Sequence, residues 1–116
     1  MLSLLASPTR LTLYSPMNPD ELYALIVKAI IDSPQLLIVK GDEAARHLHF
    51  AMIDHKMNKN FYFELDISHD DRESCIRFTT VNPEDWQQLA RATGLAVRSI
   101  VMKHLSPAML HRSGLE

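Results

Sequence analysis

Phe61, Phe63, Leu65 and Ile67 alternate with Tyr62, Glu64 and Asp66, which is the period of a strand with one buried face. The polar stretch Ser68-His69-Asp70-Asp71-Arg72-Glu73-Ser74 follows, and Cys75 to Val81 resumes the apolar face with Ile76 and Phe78. Two such runs around a polar turn predict a β-hairpin, so the chain is committed to a sheet.

Helix signals surround that hairpin. Met17-Asn18-Pro19-Asp20-Glu21 and Val81-Asn82-Pro83-Glu84-Asp85 are written in nearly the same words. In each the asparagine is an N-cap, the proline sits at N1, and the acids suit the positive end of the helix dipole. The likeness fades within one turn, so these are two independent caps and not a repeat. The first helix is predicted from Pro19 to about Ile31, with Leu22, Leu25, Ile26, Ala29 and Ile30 on its buried face, and Ser33-Pro34 stops it. Leu36-Leu37-Ile38-Val39 reads as a strand buried on both faces. A second helix is predicted from Asp42 to about Met57 through Ala44, Ala45, Leu48, Met52 and Ile53. A third runs from Pro83 to Ala92 and closes on Gly94. Leu95 to Met102 reads as a strand, with a helix as the alternative, and Ser106-Pro107 opens one short turn. Leu11 to Tyr14 adds a further strand.

From Leu36 onward the expected order is strand, helix, strand, strand, helix, strand. That is the split βαβ, or ferredoxin-like, order, with an extra N-terminal helix packed on a mixed sheet: an α+β fold. At 116 residues and 47% apolar the chain fits one domain, residues 1–116. A domain of this size buries roughly two-thirds of the surface its unfolded chain exposes and needs no metal or disulfide to fold.

Charge and composition exclude several function classes. Lys plus Arg number 12 against 14 Asp plus Glu, a net charge of -2, which gives no global field toward duplex DNA or anionic lipid. The apolar stretches are far short of the roughly 20 residues of a membrane span, and the opening Met1-Leu2-Ser3-Leu4-Leu5-Ala6 lacks the basic flank of a secretion signal. With one cysteine, Cys75, the expectation is a cytoplasmic protein without a disulfide framework.

Six histidines invite a search for metal. On the expected second helix, His47 and His49 stand about 200 degrees apart and cannot share an ion. His69-Asp70-Asp71 reads as a solvated loop, so neither metal nor cofactor is expected. Lys40, Asp42, Arg46 and His47 cluster where a strand hands over to a helix N-terminus, a natural anion site. A histidine beside an arginine there can serve as general acid while a ribose 2′-hydroxyl attacks its own phosphodiester. The plainer account is a solvated face of an amphipathic helix. Cys75 lacks the base and depressed pKa of a nucleophile and reads as packing. Phe61, Phe63 and Phe78 sit at core parity, which favours packing over RNA stacking, and no Walker loop or Gly-x-Gly-x-x-Gly occurs.

Three segments carry a resemblance to a known family. Met1-Leu2-Ser3-Leu4-Leu5-Ala6-Ser7-Pro8 is similar to the opening, and Gly41-Asp42-Glu43-Ala44-Ala45 to the start of the central helix, of the small viral ring nucleases that act as anti-CRISPR proteins against type III systems. The hairpin, the helix after Asn82 and the segment Leu95 to Met102 follow in the same order. The resemblance implies a homodimer that encloses a cyclic oligoadenylate and cleaves it without metal. Where the family has its catalytic histidine this chain has Asp42, and an ionised carboxylate cannot protonate a leaving alkoxide. The role then falls to His47, and the implied activity is a weak metal-independent phosphodiesterase. The family's Arg-Leu-x-x-Gly loop is replaced by Thr79-Thr80-Val81, with Arg77 the nearest guanidinium.

Two functions follow as expectations. The first is an inhibitor of host defence, a cytoplasmic homodimer that binds a cyclic oligonucleotide or a defence protein through Ser7, Lys40, Gly41, Asp42, Arg46, His47 and Arg77. The second is a protein-binding inhibitor of the immunity-protein or antitoxin kind, which uses an acidic surface around Asp66, Asp70, Asp71 and Glu73 and has no small-molecule site. A locally basic concave site favours the first, and an acidic patch favours the second.

Overall fold

A computed structural model describes residues 10–69 and 72–98. Strand β1 spans Arg10–Ser15, helix α1 Pro19–Asp32, and strands β2, β3, β4 and β5 span Leu36–Asp42, His47–Asp54, Lys59–His69 and Ser74–Thr80. A 3-10 helix at Pro83–Gln88 leads into helix α2, Leu89–Ala96. The strands form one antiparallel sheet in the order β1-β5-β4-β3-β2.

The α+β class stands, but the ferredoxin-like order and the mixed sheet do not. The main departure lies between Asp42 and Met57. The residues read as a second helix form a turn at 43–46, strand β3 and a turn at 55–58. Glu43-Ala44-Ala45-Arg46 has high helix propensity, but Leu48, Phe50 and Met52 alternate with His47, His49 and Ala51. All three alternating apolar side chains are fully buried. Period-2 burial against a sheet neighbour overrides the local helix preference. Without a crossover helix every connection within β2–β5 is a hairpin, which makes the sheet antiparallel.

Other expectations shift less. The hairpin is β4 and β5, paired from Phe63↔Thr80 to His69↔Ser74. Leu36–Val39 is not buried on both faces: β2 is an edge strand, with Leu37 and Val39 exposed. The third helix begins as 3-10 and continues past Gly94 to Ala96, so Gly94 is not a C-cap and Leu95 and Ala96 are helical. Residues 99–102 and Ser106-Pro107 lie outside the described residues.

The core lies between the sheet and the two helices. Leu22, Ile26 and Ile30 of α1 and Leu89, Ala92 and Ala96 of α2 pack on Phe50, Phe63, Leu65, Ile76 and Phe78. The rings of Phe50 and Phe63 are 5.6 Å apart, and those of Phe50 and Phe78 6.2 Å apart and edge-on.

The two Asn-Pro starts differ in the fold. The Asn18 side chain accepts from the Asp20 N–H at 2.8 Å and the Glu21 N–H at 3.4 Å, whereas Asn82 makes no side-chain cap bond. Asn18→Ala is therefore expected to cost about 1 kcal/mol, and Asn82→Ala a few tenths at most. Urea melts of the two variants check this; equal losses would contradict it.

Candidate functional site

The turn between β2 and β3 places most of the sequence-predicted site residues at one end of the molecule. Asp42 pairs with His47 across the turn, and Gly41 and Lys40 pair with Leu48 and His49. His47 pairs on its other side with Asp66, and Asp66 with Arg77. Asp42, His47, Asp66 and Arg77 thus form one row across four strands, on the face turned away from the helices. Lys40, His49, Glu64 and Thr79 form the next row. Ser7 lies outside the described residues.

Arg46 closes the turn with φ 52°, a left-handed conformation that few non-glycine residues adopt. It is locked there by the backbone: Arg46 N–H donates to the Glu43 carbonyl at 3.1 Å, and Ile67 N–H donates to the Arg46 carbonyl at 3.1 Å. Its guanidinium donates to Asp20 at 3.0 Å and, through Nε, to the Ile67 carbonyl at 3.4 Å. Arg46 therefore ties α1 to β4. Asp42 is not at a helix N-terminus, since no helix begins there; its Oδ1 accepts from the Ala45 N–H at 3.2 Å and tightens the turn. The anion site expected from a strand-to-helix junction is absent for the same reason.

His47 is half exposed, and its Nε2 lies 3.0 Å from Glu64 Oε1 and 3.9 Å from Asp66 Oδ1. Glu64 and His49 were not among the expected site residues. On a helix His47 and His49 diverge, whereas on a strand residues two apart share a face. His49 contacts the Tyr62 ring edge-on at 6.1 Å, and its Nε2 is buried without a hydrogen-bond partner. The alternation His-Leu-His-Phe was the signal that could have shown this. Among the described residues no three His, Cys, Asp or Glu side chains converge to hold a metal ion, and no helix is long and apolar enough to cross a membrane.

Tyr23 of α1 supports the turn from behind. Its hydroxyl donates to the His47 carbonyl at 3.2 Å. Burial, with the Glu43 and Asp42 carboxylates adding to it, raises the phenol pKa above the usual 10.0, and a hydrogen bond from the Asp42 backbone opposes the shift. A raised folded-state pKa contributes stability that is complete below pH 10 and is lost as pH rises through the folded value. Tyr23→Phe should lose about 1 kcal/mol near neutrality and show a shallower alkaline decline. Thermal melts across pH 8 to 11 check this, and an unchanged alkaline slope would contradict it.

Gly41 is constrained by that same contact. A Cβ there would lie 3.1 Å from the Tyr23 hydroxyl and 3.2 Å from Leu48 Cδ1.

Comparison with known proteins adds a fold neighbour. No family model matches the chain, and no curated protein matches it. The crystal structure of Ara h 8.0201 is similar with a TM-score of 0.52 and 16% identity, covering 80% of this chain and 95% of that one. At that identity the likeness is one of α+β fold.

Proposed function

We propose that the chain is a protein-binding module whose acidic end engages a basic partner, in the manner of an immunity protein or antitoxin acting in the cytoplasm. The observation that carries this is the environment of His47, hydrogen-bonded to Glu64, with Asp66 beside it and Asp42 across the turn. Glu43 stands on the same turn, and Asp20 and Glu21 reach the same end through the Asp20–Arg46 ion pair.

A phosphodiester approaching His47 meets carboxylates, while the guanidinium of the adjacent residue, Arg46, is held by Asp20 and by a backbone carbonyl. Arg77 stands in the row opposite Asp66, and Lys40 stands in the next row opposite His49. Like charges repel by about 1 kcal/mol at 4 Å even at the dielectric constant of water, so the arrangement disfavours an anion and attracts a cation. Carboxylates grouped at one end also steer a basic protein toward productive encounter. Of the acidic surface expected from the sequence, Asp66 belongs to this end, and Asp70 and Asp71 lie outside the described residues.

Affinity capture from a cell lysate at low and at high salt tests the reading. The expected result is a basic protein retained at low salt and released at high salt. Retention of nucleotide or RNA in place of a protein, or salt-independent retention, would overturn it.

A further inference from the structure

A groove of about 580 Å³ runs between α1 and the edge strand β2, with Ala24, Val27, Ile31, Ile38 and Leu48 among its apolar walls. From Ala24 to Ile31 it is about 10 Å long along the helix. Ile31, on its helical wall, is 68% exposed. An apolar-walled groove rimmed by polar residues marks an interaction surface.

The two ends of the groove differ in charge. At one end Lys28 is paired with Asp32 at 3.1 Å, which leaves that end neutral. At the other stands Glu43, which among the described residues has no cationic partner. The groove therefore complements an apolar segment with a positive charge at one end.

Backbone pairing on the open edge of β2 is broken by the irregularity between Ile38 and Lys40. That break puts Ile38 and Lys40 on opposite faces. A second copy paired about Val39 would set Ile38 of one chain against Lys40 of the other, pointing to opposite sides, so a regular two-fold ladder does not form. Recognition passes from the backbone to the side chains in the groove.

We propose that this groove takes an apolar–basic segment of a protein partner. Its apolar side chains lie against Val27, Ile31 and Ile38, and its Lys or Arg reaches Glu43. The inference rests on the protein-binding reading above and adds where the partner docks.

The test is a titration of the isotope-labelled full chain, followed by its backbone amide resonances, with an amphipathic leucine–lysine peptide and with a leucine–glutamate peptide of equal length. The lysine peptide is expected to shift Ala24, Ile31, Ile38 and Glu43 saturably and to bind at least tenfold more tightly than the glutamate peptide. Glu43→Lys should weaken it about tenfold. Ile31→Glu, at an exposed position that leaves the fold intact, should abolish the shifts. Equal affinity for both peptides, binding retained in Ile31→Glu, or the same amides moving on simple dilution, which would mark a second copy in the groove, each overturn the proposal. If the groove stays silent while a basic protein is still captured in the salt-sensitive manner above, docking in the groove fails alone. If no basic protein is captured, the protein-binding reading fails as well.

Discussion

Phe63→Ala is expected to lose about 3–5 kcal/mol of folding stability. Phe63 is fully buried at the centre of the sheet, on β4 between β3 and β5, and its ring packs on Phe50, which in turn meets Phe78 edge-on. Removing it deletes the transfer energy of a large side chain and leaves a cavity that the flanking strands, held by their ladders, cannot close. Against a total stability of roughly 5–15 kcal/mol, the variant should melt more than about 10 °C below the parent. Tyr62→Ala, one residue away on the opposite face and only half buried, is the control and should cost far less. Equal melting temperatures for the two variants would contradict the placement of the core.

The largest functional effect is expected from reversing two charges at once, Asp42→Lys with Asp66→Lys. Both side chains are exposed and flank His47 in one cross-strand row, so the fold should be retained and the local potential inverted. For a basic partner the association rate should fall on the order of a hundredfold at low salt, and the difference should shrink as salt is added. Stopped-flow binding to the captured partner measures this. An unchanged rate would place the contact elsewhere on the surface.

Much of the fold was legible in the residues themselves. The alternation Phe61 to Ile67 and the Asn18-Pro19 start produced the hairpin and α1 nearly as expected, because each signal is local and its burial agrees with it. The second helix failed at Glu43 to Arg46, where helix-forming residues make a four-residue turn closed by Arg46 in a left-handed conformation. No local preference announces that conformation. It is held by a bond to Glu43 within the turn and by bonds to Ile67 and Asp20 from distant parts of the chain. The candidate site failed with it in one respect: His47, Asp42 and Lys40 are neighbours as expected, but on paired strands. The strand register then brings in Glu64, Asp66 and His49, whose approach depends on pairing that spacing along the chain does not encode. Of the segments resembling ring nucleases, Met1 to Pro8 lies outside the described residues. Gly41 to Ala45 is a strand end and a turn where a central helix was expected.

Native mass spectrometry of the purified protein with a panel of cyclic oligoadenylates, followed over time, decides between a protein-binding end and a nucleotide site at His47. With carboxylates around the imidazole and Arg46 already engaged, the expected result is no retained ligand and no linear product. A dimer that holds one cyclic oligoadenylate and opens it, with the activity lost in His47→Ala, would contradict the account.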